Sequence, residues 1–216
     1  MPNWCYTDYV IEGSHEDLKC INKAICDVID GNFHKQEMSA QDWVGNVLHA
    51  LRIPTEDAEG KSLGYFRAFI ASRPIWIDDN ALKFSTQEAW SRTQFAEALR
   101  IRFKRIGIYY SLQEEFCQIL QTNDAEGKYF NERYFVDISI GDDYHSGYFS
   151  TEDDAYNFVR EFTGYGDADA VKLFNDENKD TNDYIYVFAY DVTDECFDFD
   201  DDIQLMGDED KNFFNA

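Results

Sequence analysis

Four carboxylates crowd one short stretch of this chain. Glu114 and Glu115 close one apolar run, and Asp124 and Glu126 follow the next, Phe116-Cys-Gln-Ile-Leu-Gln-Thr122. Carboxylates that converge serve as a general acid and base or as hard ligands to a cation. Adjacent residues in a turn usually point apart, however, so a solvated turn is the plainer reading of Glu114-Glu115. Asp176, Asn178 and Asp180 have the alternate-position spacing of a calcium loop. Thr181 stands where that loop needs glycine and Val187 where it needs glutamate, so no dedicated metal site is assigned. His15, His34, His49 and His145 are isolated, and no Ser-His-Asp or Cys-His arrangement can be argued from order. Phosphate cradles of the G-x-x-x-x-G-K-[ST] or G-x-G-x-x-G type are absent. Cys5, Cys20, Cys26, Cys117 and Cys196 are odd in number and scattered without a C-x-x-C pair, which predicts buried reduced thiols rather than disulfides or zinc. No catalytic residue, metal or cofactor is implied.

Arg100, Arg102, Lys104 and Arg105 form the one basic cluster. They fit a helix C-terminus, where cations interact well with the dipole. Trp90, Tyr109, Tyr110, Tyr129, Phe130 and Tyr134 are enough aromatics for a base-stacking platform, but such a platform needs a positive groove beside it. The formal net charge is −24, and from residue 150 onward 20 acidic residues face 4 basic ones. Direct nucleic-acid binding and binding to anionic membranes are therefore disfavoured. The aromatics read as core and sheet packing.

The elements that must position these residues follow from apolar periodicity. Asn3 to Ile11 reads as a strand. Ser14 with Asp17 opens a helix whose Leu18, Ile21, Ile25, Val28 and Ile29 form one stripe, closed at Gly31. A second helix starts at Asp42, turns Trp43, Val47, Leu48 and Leu51 inward, and stops before Pro54. Residues 55–64 read as a loop, Tyr65–Ile70 and Ile75–Ile77 as short strands, and Asp78-Asp-Asn80 as the turn into a strand at Leu82, Phe84 and Thr86. The spacing of Ser91 and Gln94 predicts a capping box for a helix carrying Phe95, Leu99 and Phe103. Ile106–Ser111, Phe116–Thr122 and Tyr134–Ile140 then read as a meander of strands. Ser150 with Asp153 opens a further helix ended by Gly164, a short helix spans Asp169 to Phe174, and Tyr184–Asp191 is a last strand.

Strand, helix, hairpin, helix, strand over residues 3–112 is the order of a split βαβ, ferredoxin-like sheet. The expected class is α+β: an antiparallel sheet with helices on one face, extended by the later strands and by a C-terminal α/β addition. Residues 1–140 form the main domain with a helical insertion at 32–64. Residues 141–216 form an acidic extension packed on the same sheet, with a frayed tail at 204–216. No apolar run reaches the length of a membrane span, and Met-Pro-Asn-Trp-Cys lacks the features of a signal peptide, so a cytoplasmic protein is expected.

Pro2-Asn-Trp-Cys5, Lys83-Phe-Ser-Thr-Gln-Glu-Ala-Trp-Ser91, Gln113-Glu-Glu115, Thr122-Asn-Asp-Ala-Glu-Gly-Lys-Tyr-Phe130 and Arg133-Tyr134 together resemble the YubB-like, ferredoxin-like family of uncharacterised proteins of bacterial plasmids, phages and gut bacteria. The resemblance covers roughly residues 1–140. This chain lacks the Pro-Gly that often follows the Glu-Glu pair and adds the acidic last third. The resemblance implies a fold and a mobile-element or accessory setting, and no chemistry. Its motif residues Trp90, Glu114, Glu115, Asn123, Asp124 and Arg133 make the candidate surface or pocket. The expected function is that of a non-enzymatic interaction protein with an unknown protein partner, itself a monomer or weak homodimer. A carboxylate-based enzyme or cation-dependent module, and a nucleic-acid mimic built of spaced carboxylates, are the alternatives.

Overall fold

The computed structural model describes residues 4–33, 40–64, 66–89, 92, 94–114 and 119–193. The elements are β1 (Trp4–Glu12), α1 (His15–Ile29), α2 (Val44–Ala50), β2 (Ala68–Ile70), β3 (Ile75–Asp78), β4 (Ala81–Ala89), α3 (Phe95–Arg102), β5 (Gly107–Glu114), β6 (Ile119–Thr122), β7 (Tyr134–Ile140), β8 (Asp143–Phe149), α4 (Glu152–Thr163), α5 (Ala168–Glu177), β9 (Tyr184–Ala189) and β10 (Asp191–Val192). The class is mixed α+β. No helix among the described residues is long and apolar enough to cross a membrane.

Seven strands form the first sheet in the order β10-β6-β5-β1-β4-β2, with β3 also on β4. Central β1 is antiparallel to β4, from Trp4↔Ala89 to Glu12↔Ala81, and to β5, from Tyr6↔Gln113 to Glu12↔Gly107. Alternation sends Cys5, Tyr9 and Ile11, Leu82 and Phe84, and Ile108, Tyr110 and Leu112 to one face, where they pack with residues of α1, α2 and α3. The start of α1 is set locally: the Ser14 hydroxyl accepts from the Asp17 N–H, and Leu18, Ile21, Ala24, Ile25 and Val28 form its buried stripe. Tyr9 stacks on Phe84 with ring centroids 5.5 Å apart, and Phe95 of α3 meets Phe84 edge-on at 6.1 Å.

The second sheet has the order β8-β7-β9. A two-residue turn, Gly141-Asp142, joins β7 to β8, and Gly141 has φ +61, which suits the first central position of a type II′ hairpin. Val136, Ile138 and Ile185 face α4 and α5, packing with Ala155, Val159, Val171 and Phe174. The chain then returns to the first sheet, where β10 lies parallel to β6.

Several boundaries differ from the sequence reading. Tyr134–Ile140 founds a sheet of its own instead of extending the first, because its hairpin with β8 and its pairing with β9 occupy both edges. The second helix is capped at Trp43, not Asp42, and the fourth at Thr151, not Ser150, whose place the Thr151 hydroxyl takes by accepting from the Asp154 N–H. Helix α3 starts at Phe95 with Gln94 at its N-cap and no side-chain cap bond, so the Ser91–Gln94 capping box is not what starts it; Ser91 lies outside the described residues. Asp167 caps α5, which runs to Glu177 and so absorbs Asp176 of the calcium-like spacing. Cys5 is buried, whereas Cys20 is exposed because it falls on the outer side of α1. The tail at 204–216 lies outside the described residues.

Candidate functional site

The candidate residues of the sequence do not gather at one place. Asn123 continues the ladder beyond the end of β6: its amide accepts from the Tyr110 N–H at 2.8 Å and donates to the Ile108 carbonyl at 2.8 Å. Asp124, 2% exposed, accepts the backbone N–H groups of Lys128, Tyr129 and Phe130 at 2.9, 2.6 and 2.9 Å. Arg133 donates to the carbonyls of Phe130 and Glu132 at 2.8 Å each and of Asp124 at 2.6 Å. These three motif residues hold one loop, 123–133, by satisfying backbone groups that no helix or strand satisfies there. The loop lies over the sheet face opposite the helices, where Phe130 packs on Val10 and Ala81.

Glu12 anchors the same loop. It pairs with Lys128 and accepts from the Tyr129 hydroxyl at 2.5 Å. Desolvation works to raise the Glu12 pKa, but the bonds from Lys128 and Tyr129 prevail and hold it below the usual glutamate range. Burial first, then Glu12, pushes the Tyr129 phenol up to about 12.

Glu114 sits elsewhere. It pairs with Ile119 at the far end of β5 from Ile108, roughly 13–20 Å along the strand from the Asn123 contacts at Tyr110 and Ile108. The two carboxylates therefore diverge. Glu114 is 1% exposed on the helix-covered face, and so is Glu88 of β4, at 0%. The Tyr9 hydroxyl donates to Glu88 at 2.8 Å and the Thr86 hydroxyl at 2.6 Å. Burial, then the Glu88 charge, raises the Tyr9 phenol well above its ordinary value. Arg92 pairs with Glu97 of α3 and lies over the Tyr110 ring at 4.4 Å. The sequence reading ended the β4 strand at Thr86 and so missed Glu88, although carrying the alternation of Phe84 and Thr86 two residues further points to it. Trp90 and Glu115 lie outside the described residues. Among the described residues no group of three or more His, Cys, Asp or Glu is placed to hold a metal ion.

A second assembly had no counterpart in the sequence reading. The face of the second sheet turned away from α4 and α5 carries Phe135, Asp137 and Ser139 of β7, Tyr144, Ser146 and Tyr148 of β8, and Tyr184, Tyr186 and Phe188 of β9. Ring centroids run Tyr148 to Phe135 at 4.8 Å, Phe135 to Phe188 at 6.4 Å, Phe188 to Tyr186 at 5.4 Å and Tyr186 to Tyr184 at 4.9 Å. Tyr144 is 61% exposed, Tyr148 41% and Tyr186 40%. Phe135 and Phe188, in the middle of the row, are half-buried. The row meets the open face of the first sheet at Gln113, which accepts from the Tyr148 hydroxyl at 2.9 Å and donates to the Tyr190 hydroxyl at 2.7 Å. The missed signal was period two in Tyr184-Ile-Tyr-Val-Phe188, where every second residue is aromatic.

The basic cluster is divided. Arg102 donates to the Leu51 carbonyl at 2.5 Å, while Lys104 and Arg105 are exposed beyond the helix end. No family model, curated protein or solved structure matches this chain.

Proposed function

We propose that this chain is a non-enzymatic interaction protein of an accessory or mobile element, and that it meets its protein partner with the open face of the second sheet. The observation that carries this reading is the row of five rings from Tyr148 to Tyr184, with three exposed tyrosines on one sheet face. Exposed apolar patches with polar tips are what protein interfaces use, and tyrosine is enriched among their strongest contacts. The antiparallel order β5-β1-β4-β3, with helices on one face, supports a ferredoxin-like arrangement of the first sheet, in keeping with the resemblance of its motifs to the YubB-like family. The net charge of −24 favours a partner that is neutral or basic.

The test places a photo-crosslinking phenylalanine at Tyr186 and, in a second protein, at Phe69 of the first sheet, in cells that express the chain natively. The expected result is a discrete crosslinked protein from position 186 and none from position 69. Crosslinks from 69 alone would move the working surface to the first sheet.

A carboxylate-based enzyme is the second reading, and the burial of Glu88 and Glu114 on one face of the first sheet is what favours it. Catalytic charges are held at a cost in stability, so removing one raises the melting temperature. A structural Glu88, holding the Tyr9 and Thr86 hydroxyls, gives the opposite sign. Thermal unfolding of Glu88→Gln decides between them, and the interaction reading expects a fall.

A further inference from the structure

The helical layer of the first sheet carries a cationic spot at odds with the rest of the chain. Helix α2 closes with two backbone bonds, Arg52 N–H to the His49 carbonyl at 2.9 Å and Ile53 N–H to the Leu48 carbonyl at 2.8 Å. These are the two bonds of a Schellman ending, whose middle residue takes the left-handed conformation and is usually glycine. Here it is Arg52, at φ +56, the one non-glycine residue with positive φ among those described. A side chain kept where the backbone favours none is a pointer to a use for that side chain. Leu51 and Ile53 on either side are buried, so Arg52 stands out into solvent between them.

Arg102 joins it from α3. Its guanidinium donates to the Leu51 carbonyl at 2.5 Å, which sets it beside Arg52, and Arg105 follows three residues on. All three arginines are exposed, and no ion pair among the described residues involves any of them. The nearby carboxylates are already committed: Asp57 accepts the Glu59 and Lys61 N–H groups of its own loop, and Glu97 pairs with Arg92.

The end of the described chain is aimed at this spot. β10 is parallel to β6 and β6 is antiparallel to β5, so the chain at Thr193 heads for the Gly107 end of β5, the end that Phe103 to Ile106 enter from α3. The Thr193 hydroxyl lies 3.0 Å from that of Tyr110, whose ring is buried on the helix-covered face, so the chain leaves on the same side as the arginines. Residues 194–216 then carry nine acidic residues and one lysine, six of the nine between Asp194 and Asp202 with Phe197 and Phe199 among them. Arginine takes both kinds of side chain, carboxylate in its fork and an aromatic ring on its plane.

We propose that the Arg52, Arg102 and Arg105 patch is the docking site of the chain's own acidic segment, Asp194–Asp202. The inference is independent of the face assigned to a partner. Reach is ample: 23 residues span up to about 75 Å, against roughly 24 Å across the six strands from β10 to β2. A tethered segment also acts at an effective concentration of about millimolar. An acidic segment of a second copy has no such tether and must approach against −24 on each molecule.

The test places a photo-crosslinking phenylalanine at Phe199 of the full purified chain and maps the crosslinked peptides at about 0.05 M and about 1 M salt, where charges act over roughly 14 and 3 Å. The same is done with Arg52→Gly and Arg105→Gln together. Arg52→Gly supplies the residue that the left-handed position favours, so alone it should hold or raise the thermal midpoint while removing a charge. Crosslinks within one chain to 50–54 and 101–106 are expected, lost at high salt and reduced about fivefold in the double variant, the equivalent of two surface ion pairs. Crosslinks confined to other regions, or a yield indifferent to salt or to the double variant, overturn the proposal. So does crosslinked dimer in place of the intrachain product, which would make a second copy the occupant. A midpoint that falls with Arg52→Gly alone would show that the arginine serves the fold, and that too overturns it. Since no partner is present, the outcome does not depend on what the second sheet captures.

Discussion

The two sheets spend their polar groups and aromatic rings in opposite ways. On the first, Asn123, Asp124 and Arg133 satisfy loop backbone, Glu88 receives two hydroxyls inside the core, and the rings of Tyr9, Phe84, Phe95 and Tyr110 are covered. On the second, Tyr144, Tyr148 and Tyr186 stand exposed on the face turned away from α4 and α5. The contrast teaches that the residues whose types suggest chemistry do architectural work here. On the proposed function, the exposed tyrosines of the second sheet are the ones that meet a partner.

The largest test of that contrast is Asp124→Ala. It leaves three backbone N–H groups without their carboxylate, and with charge-assisted bonds among those lost the expected destabilisation is about 3 kcal/mol by urea unfolding. A loss under about 0.5 kcal/mol, the range of ordinary surface changes, would show that Asp124 is not holding the loop. Next is Asn175→Ala, which uncovers the Ile185 backbone on β9. A loss of about 1–2 kcal/mol is expected from two hydrogen bonds, with a greater tendency to self-associate measured by light scattering as that edge opens.

Glu12 gives a smaller, pH-dependent effect. Its folded pKa lies below the unfolded value, so its contribution is present above about pH 4.5 and is lost as pH falls through the lower folded value. The difference in urea midpoint between the native chain and Glu12→Gln should be constant near neutrality and vanish in acid. A difference that persists at low pH would mean the glutamine itself disturbs the loop. The smallest effect on stability is expected from the double change Tyr144→Ser and Tyr186→Ser, within about 0.5 kcal/mol, because both rings are exposed.

Much of this architecture was legible in local pattern. The Ser14 cap, the α1 stripe, the Asp78–Asn80 turn and the left-handed Gly164 that closes α4 depend on neighbours in sequence, and they stand where the pattern puts them. What the pattern withheld is non-local. Tyr134–Ile140 reads as a strand whichever sheet it joins, and only its pairing with β8 and β9 decides. Thr122-Asn-Asp read as a carboxylate near other carboxylates, but Asn123 and Asp124 turn inward to backbone groups on β5 and at 128–130, which sequence distance does not reveal. The aromatic face was equally hidden, since a tyrosine at alternate positions packs a core or faces solvent with the same spacing.

The most direct measurement compares two variants side by side for thermal midpoint and for capture of the partner identified by crosslinking. Tyr144→Ser with Tyr186→Ser should keep the midpoint and lose capture, while Glu88→Gln should lower the midpoint and keep capture. Capture lost with Glu88→Gln but retained by the tyrosine pair would contradict the division of labour between the sheets and return attention to the buried carboxylates of the first.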